Sequence, residues 1–186
     1  MGKSAASTPE QRRRLHSILK SSYGSNKDAE ANLAKEGYTL DKSLSGKRAK
    51  VFTDAEGKPK IVYKGTQSIQ DVGTDIALTL GLGKHTKRFK HAKKVKKSVQ
   101  EKYKTDNIDT YGHSLGGYLA ENVGTKGKVT TYNKASVGEK VHNKGQEDVR
   151  TKHDLVSAMS PKHKGTTVLK GSRDVLATHN LDQLLK

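Results

Sequence analysis

Ser114 stands in the stretch Gly112-His113-Ser114-Leu115-Gly116, which fits the pattern G-x-S-x-G. In this pattern a serine occupies a sharp turn between a strand and a helix, and its hydroxyl can attack an acyl carbon. Alone the pattern is weak, because the chain has 18 glycines among 186 residues and matches arise by chance. The candidate chemistry is nucleophilic acyl transfer, provided that the flanking elements and partner residues agree.

The residues around Ser114 predict the strand, turn and helix that this chemistry needs. Residues 108–111 predict a short buried strand, and residues 114–123 predict a helix. Gly112 and Gly116 are small where a side chain would collide with the neighbouring strand or helix. The backbone N–H of Leu115 would then point at a developing oxyanion.

Four segments together resemble the class 3 lipase family, a group of lipases and related esterases with the α/β-hydrolase fold. They are GHSLGG at residues 112–117, IVYKGTQSIQDVGTDIAL at 61–78, VTTYNKASVG at 129–138 and VRTKHDLVSAMSP at 149–161. The segments follow the family's order and span roughly residues 50–185. This combined match is far more specific than the five-residue pattern.

The resemblance implies a role for each matching position. Thr66 would donate its backbone N–H to the oxyanion together with Leu115, and Asp154 would be the acid of the triad. The base should be a histidine that follows the acid, because this fold orders its triad as Ser, Asp, His. His163 and His179 both satisfy that order, and the resemblance favours His179.

The sequence also departs from the family's pattern. Lys64 stands where the family usually has arginine, and the interval after the oxyanion segment turns basic instead of apolar, so we expect a minimal lid or none. His113 fills a variable position of the turn, and we expect no proton transfer from it. Proximity to the site segments suggests, beside Leu115, four substrate-binding residues: Ile69, Ile76, Val156 and Met159.

The remaining patterns predict the elements that position these residues. Helices are expected at residues 9–22, 26–36 and 86–104, and a hairpin around residues 54–57. Further strands are expected at residues 129–132, near Val149 and near Val168, and a terminal helix or turn would bury Leu181, Leu184 and Leu185. This alternation predicts an α/β fold with a mostly parallel central sheet flanked by helices. We expect a single domain over residues 1–186, with a helical arm at 1–45 and a catalytic core at 46–186.

Positive charge is the outstanding feature of the composition. The formal net charge is +17, and residues 84–104 alone contain ten Lys or Arg. Such a helix is either a solvated face or a surface for an anionic membrane or nucleic acid. Nucleic acid is the less favoured partner, because the few aromatic residues, seven Tyr and two Phe, offer little for base stacking.

The sequence predicts a serine hydrolase that cleaves carboxylic esters of lipids or phospholipids through an acyl-enzyme. No metal or other cofactor is implied, because cysteine is absent and the histidines lack ligand spacing. Without a signal peptide or an apolar run of 18 residues, we expect a soluble protein, cytoplasmic or virion-associated. Two alternatives stand beside the enzyme: a basic nucleic-acid- or virion-associated protein that retains the lipase-like fold, and an inactive interaction module.

Overall fold

A seven-stranded mixed sheet organises the protein, whose computed structural model describes residues 6–66, 86–136, 143–158 and 160–186. The strands lie side by side in chain order: β1 (Thr39–Leu40), β2 (Ala49–Thr53), β3 (Pro59–Tyr63), β4 (Asp109–His113), β5 (Val129–Tyr132), β6 (Glu147–Thr151) and β7 (Thr166–Leu169). The first three strands pair antiparallel, and β3 to β7 pair parallel. The predicted α/β fold with a mostly parallel sheet is therefore confirmed.

Helices cover both faces of this sheet. They are α1 (Pro9–Ser21), α2 (Asn26–Ala34), α3 (Lys87–Tyr103), α4 (Leu115–Asn122), α5 (Leu155–Ala158) and α6 (Val175–Thr178), followed by a 3₁₀ segment at Leu181–Leu185. Alternate residues of a strand point to opposite faces, so Val51 and Ile61 pack on one side with α3 and α4. Phe52 and Val62 pack on the other side with α1, α2 and the 3₁₀ segment.

Local sequence signals explain the two helices of the N-terminal arm. Thr8 caps α1 through a capping box with Gln11, and Pro9 occupies the first turn, where its missing N–H costs nothing. Ser25 and Asp28 form a second capping box at the start of α2. The apolar stripe of α1 is buried as predicted, at Leu15, Ile18 and Leu19.

The basic helix α3 has one apolar stripe, formed by Phe89, Ala92 and Val99, which are all buried. Thr86 caps its first turn. Its lysines occupy the remaining surface, and six of them are exposed: Lys87, Lys90, Lys93, Lys94, Lys97 and Lys102. Within the described ranges, no helix is both long and apolar enough to cross a membrane.

Two expectations about element ends are wrong. The second helix ends at Ala34 instead of residue 36, and Gly37 follows in a left-handed conformation with a φ of 78°. At the other end of the chain, Leu184 is buried but Leu185 is 54% exposed. Leu185 points outward because the short 3₁₀ segment presents a narrower apolar face than the leucine cluster suggests.

The fold brings the ends of four parallel strands to one edge of the sheet. Thr66 follows β3, Ser114 follows β4, Asn133 follows β5 and Asp154 follows β6. In open α/β sheets, ligands bind outside the carboxyl ends of the strands. The site must therefore be sought at this edge.

Candidate active site

Ser114 lies at the turn between β4 and α4 in a strained backbone conformation. Its φ of 56° and ψ of −126° fall in a region that residues with a side chain rarely occupy. The turn is possible because the chain has no side chains where it approaches itself: a Cβ on Gly112 would overlap the backbone of Gly116, and one on Gly116 would overlap Tyr63. The backbone N–H of Ser114 donates to the carbonyl of Tyr132 at 3.1 Å and holds the turn against β5.

Asp154 and His179 form a buried pair at the same edge. The Nδ1 atom of His179 lies 2.8 Å from Oδ1 of Asp154, and the backbone N–H of Ser157 donates to Oδ2 at 2.8 Å. Burial disfavours ionisation of Asp154, but these hydrogen bonds and the attraction to His179 outweigh it and lower the pKa of the carboxyl. An ionised Asp154 accepts the Nδ1–H of His179, which leaves Nε2 as the basic nitrogen.

Eight buried side-chain polar atoms of the described residues have no hydrogen-bond partner, and three of them belong to residues that the sequence predicts for the site. These three are Oγ of Ser114, Nε2 of His179 and Oγ1 of Thr66. An unsatisfied buried polar atom costs about 1–3 kcal/mol, and native structures contain few of them. Ser114 Oγ and His179 Nε2 are therefore not hydrogen-bonded to each other in this structure, and both atoms remain available to a ligand.

The backbone around His179 is anchored at three successive carbonyl groups. Asn133 and Thr151 donate to the carbonyl of Thr178 at 3.0 Å and 2.6 Å. The ring of His113 lies 2.8 Å from the carbonyl of His179, and the hydroxyl of Tyr132 donates to the carbonyl of residue 180 at 3.3 Å. Residues at the ends of β4, β5 and β6 therefore hold the segment that carries His179.

His113 is a functional candidate that sequence reasoning missed. Its ring is buried, lies 4.7 Å from the ring of His179 between centroids, and contacts the hydroxyl of Tyr23 at 2.8 Å through Nδ1. A carbonyl can only accept, so Nε2 carries the proton and Nδ1 accepts from Tyr23. Burial, and then the neighbouring His179, lower the pKa of His113 to about 3. Its position inside the turn motif was the available signal, but Tyr23 lies 90 residues away.

The segment that carries Thr66 is fixed from α3. The guanidinium of Arg88 donates to the backbone carbonyl groups of Lys64 and Gly65. Gly65 has to be a glycine, because a Cβ there would overlap the carbonyl of His113 and the hydroxyl of Tyr23. Leu115 is the first residue of α4, so its N–H has no intrahelical acceptor.

A cavity of about 290 Å³ opens beside these residues. Thr66, His113 and His179 line its inner part, whereas Ser114 is fully buried and does not line it. The N-terminal arm and the C-terminal segment supply the other walls: His16, Lys20, Tyr23, Asn180, Leu181 and Asp182. The arm therefore belongs to the site and is not an appendage.

The other predicted residues have varied locations. Val156 is half-buried and packs against the core on the α3 and α4 side, outside the cavity, and its substrate-binding role stays a prediction. His163 contacts Asp148 at 2.9 Å and belongs to a separate buried cluster. Ile69, Ile76 and Met159 lie outside the described residues. Within the described part of the chain, no group of three His, Asp or Glu is arranged to hold a metal ion.

Solved structures of lipases share this fold. Rhizomucor miehei lipase in a propeptide complex matches with a TM-score of 0.60 at 16% identity, covering 90% of this chain and 69% of that chain. A fungal lipase–inhibitor complex matches with a TM-score of 0.54 at 18% identity, covering 82% and 74%. Lip2 lipase from Yarrowia lipolytica matches with a TM-score of 0.54 at 14% identity, covering 91% and 82%. The fold is thus the α/β-hydrolase fold of the lipases.

The sequence defines the family more narrowly. Residues 18–175 match the phospholipase-like family described as the Tle-like phospholipase domain, and the chain belongs to this family. No curated protein matches the sequence significantly. The resemblance to class 3 lipases is confirmed, and family and fold together are those of lipid ester hydrolases.

Proposed function

We propose that this protein hydrolyses carboxylic esters of lipids, including phospholipids, with Ser114 as nucleophile, His179 as base and Asp154 as the acid of the triad. The observation that carries the proposal is the buried Asp154–His179 pair at 2.8 Å, together with the unpartnered Ser114 hydroxyl and His179 Nε2. A carboxylate and an imidazole of fixed tautomer are the groups that activate a serine.

The proposed reaction has two halves. In the first, His179 Nε2 takes the proton of Ser114 as its oxygen bonds to the ester carbonyl carbon, and the same proton passes to the leaving alcohol when the ester C–O bond breaks. In the second, water attacks the acyl carbon as His179 takes a proton from it, and that proton passes to Ser114 Oγ when the bond between Oγ and the acyl carbon breaks, which releases the acid. Asp154 keeps the imidazole oriented and stabilises its charged form in both halves.

The tetrahedral intermediates need hydrogen-bond donors for their oxyanion. The backbone N–H groups of Leu115 and Thr66 are the proposed donors, and the unpartnered Thr66 hydroxyl can add a third. Arg88 supports this role indirectly, because it holds the two carbonyl groups that precede Thr66. Donors that are fixed before the reaction do not need to reorganise during it.

Access to the nucleophile requires a local displacement. The Ser114 side chain has no contact with solvent, whereas the cavity reaches Thr66, His113 and His179. An ester carbonyl can reach the hydroxyl only when a neighbouring group moves. Ester binding in this cavity would supply the free energy for that movement.

The basic face of α3 is the proposed membrane contact. Arg88 in its first turn touches the segment before Thr66, so the exposed lysines of α3 begin next to the candidate site. Each lysine near an anionic membrane surface contributes about 1 kcal/mol to binding. This attraction would bring the enzyme to lipid although the described surface offers few large apolar side chains, namely Leu155, Val168 and Leu185.

The decisive experiment replaces the nucleophile. We expect Ser114→Ala to lower the turnover of nitrophenyl butyrate and of a short-chain phospholipid by about four to six orders of magnitude. Ser98→Ala on α3 is the matched control and should retain wild-type rates. Hydrolysis that survives Ser114→Ala unchanged would refute the proposed nucleophile.

A further inference from the structure

Lys50 is a buried lysine without a counter-ion in the described structure. It is 2% exposed, and its ammonium donates to Oδ1 of Asn26 at 2.8 Å and to the carbonyl of Gly46 at 2.9 Å. Both acceptors are neutral. An ammonium has three N–H donors, so one remains after these two bonds. No carboxylate of the described residues forms an ion pair with it.

The other two buried lysines among the described residues are neutralised. Lys60 contacts Asp54 at 3.0 Å and Asp109 at 2.8 Å. Lys134 contacts two carboxylates at 2.6 Å each, those of Glu121 and Asp148. Buried charges in proteins are normally paired in this way, because an isolated ion loses its hydration. Lys50 lacks the carboxylate partners that Lys60 and Lys134 have.

Lys50 borders a cavity of about 560 Å³ that gathers further positive charge. Lys47 and Lys64 line the same cavity, and no Asp or Glu of the described residues does: the other described lining residues are Tyr23, Gly24, Ser25, Asn26, Ser45 and Gly46. Burial and then the charge of Lys64 lower the pKa of Lys50, with an opposing effect from Asp28. Asp28 is exposed and already accepts hydrogen bonds from Ser25, so it neutralises the cluster only weakly.

We propose that this cavity binds a phosphate group, with Lys50 as its buried ligand and Lys47 and Lys64 as further cations. A phosphate supplies the negative charge that the three lysines lack, and its oxygens accept the remaining N–H of Lys50. The side-chain NH₂ of Asn26 offers an additional donor at the cavity wall, because only one of its two hydrogens is used, toward the carbonyl of Ser45.

The position of the cavity links the phosphate site to the candidate active site. Tyr23 lines both cavities, and its hydroxyl contacts His113 next to Ser114. Only the Tyr23 side chain would therefore separate a phosphate bound to Lys50 from the proposed ester site. This deepens and rests on the proposed function: the phosphate site would hold the headgroup of a phospholipid whose ester is cleaved on the other side of Tyr23.

Thermal unfolding of the Ser114→Ala protein tests the phosphate site without turnover. The probes are inorganic phosphate, glycerol 3-phosphate and dihexanoyl phosphatidate below its micelle concentration, each against sodium chloride of equal ionic strength. At about 100 times its Kd, a ligand of the folded state should raise Tm by about 5 °C. Lys50→Met should abolish most of this rise, and Lys97→Met on α3 is the control that should keep it.

Each outcome decides the proposal. A Tm rise that depends on Lys50 supports it, with inorganic phosphate pointing to a free anion and a rise confined to the two esters pointing to a headgroup. A rise no larger than that in chloride, or one that Lys50→Met retains, overturns it. If Lys50→Met does not fold, Lys47→Gln at the exposed edge of the cavity takes its place in the same assay. The Tm rise is then read in the same way: its loss supports the phosphate site, and its retention overturns it. Nitrophenyl butyrate hydrolysis tests Ser114 separately, so failure of either idea is distinguishable.

Discussion

The imidazole of His113 can serve the candidate site only as a neutral ring. Its two nitrogens are committed, one donating to the carbonyl of His179 and one accepting from Tyr23. A proton on Nδ1 would force the Tyr23 oxygen to accept instead of donate, and it would place a positive charge 4.7 Å from the ring of His179, between centroids. That charge would oppose protonation of the proposed base. A neutral His113 therefore holds the backbone of His179 without placing a second positive charge beside the proposed base.

The same ring makes stability sensitive to acid. With a folded pKa of about 3, His113 stays neutral where an unfolded histidine, with a pKa of about 6.5, takes up a proton. Between these values the unfolded state binds more protons, so acidification lowers the free energy of unfolding by up to about 1.4 kcal/mol per pH unit. We expect His113→Gln to remove this contribution, because glutamine can donate and accept but does not titrate there.

Urea unfolding between pH 6 and pH 4.5 measures this difference. Tyr23→Phe is the control, since it removes the hydroxyl but keeps the buried imidazole, and it should retain the steep acid dependence. An acid dependence of His113→Gln equal to that of the wild type would show that the ring is protonated in the folded protein.

Residue types and their order predicted one contact of the candidate site, that between Asp154 and His179. The glycine pattern around Ser114 and the resemblance in the later segments placed Asp154 and His179 as partners, and the structure has them hydrogen-bonded. His113 and Lys50 could not be found this way. Their importance depends on partners that lie far apart in sequence, such as Tyr23 and Asn26, and only the folded chain brings these together.

At the scale of elements, the segment that carries His179 is held mainly by hydrogen bonds from residues of other elements. Asn133 and Thr151 clamp the carbonyl that precedes His179, and Asn133 adopts a left-handed conformation with a φ of 42° to do so. Asparagine tolerates this conformation better than most residues. The site thus depends on the junction between β5 and β6 as well as on the turn after β4.

We expect Asn133→Asp to lower kcat by about 10- to 100-fold with little change in KM. The substitution keeps the shape but replaces the amide donors with acceptors, so the carbonyl of Thr178 loses a partner and His179 shifts. The matched control is Asn143→Asp, because Asn143 donates to the carbonyl of Glu121, far from His179 in the fold. Steady-state kinetics on nitrophenyl butyrate compares the two, and equal kcat values would contradict the clamp.

Periodicity predicted the elements where their apolar faces are continuous. The stripes of α1 and α3 and the hairpin of β2 and β3 are found where the pattern indicated. The predicted burial of Leu185 was wrong, because a 3₁₀ segment and an α-helix distribute the same residues differently around their axes. A short element contains too few residues for its hydrophobic period to indicate which kind of helix it forms.

At the scale of the whole molecule, the charge excess is distributed between interior and surface. Lys60 and Lys134 neutralise buried carboxylates and contribute nothing to an external field. The exposed lysines of α3 form a continuous basic face instead. Composition could not separate these classes, because the acceptors that let a lysine be buried are assembled only in the fold: carboxylates for Lys60 and Lys134, and neutral oxygens for Lys50.

Neutralising three lysines of this face tests its proposed role at a membrane. We expect Lys90→Gln, Lys94→Gln and Lys97→Gln together to weaken binding to phosphatidylglycerol vesicles by about 100-fold, at roughly 1 kcal/mol per lysine. Hydrolysis of nitrophenyl butyrate, which needs no surface, should be unchanged.

Vesicle sedimentation at two salt concentrations provides the measurement. Vesicles of neutral lipid are the control and should bind both proteins equally weakly. Unchanged binding to anionic vesicles would exclude the face as the contact. Tight, salt-sensitive binding of DNA without hydrolysis dependent on Ser114 would favour the nucleic-acid alternative instead.

Contact between α1 and the 3₁₀ segment has a consequence for synthesis of the protein. Leu184 packs in the same cluster as Leu15 and Leu19, and His16 contacts Asp182 at 3.0 Å. Residues of α1, which are translated early, and residues 180–182, which are translated late, thus form walls of the cavity beside the candidate site. A growing chain carries the serine long before it carries the histidine, so the proposed activity starts only after residues 179–185 have left the ribosome. Until then the nascent chain lacks the proposed base.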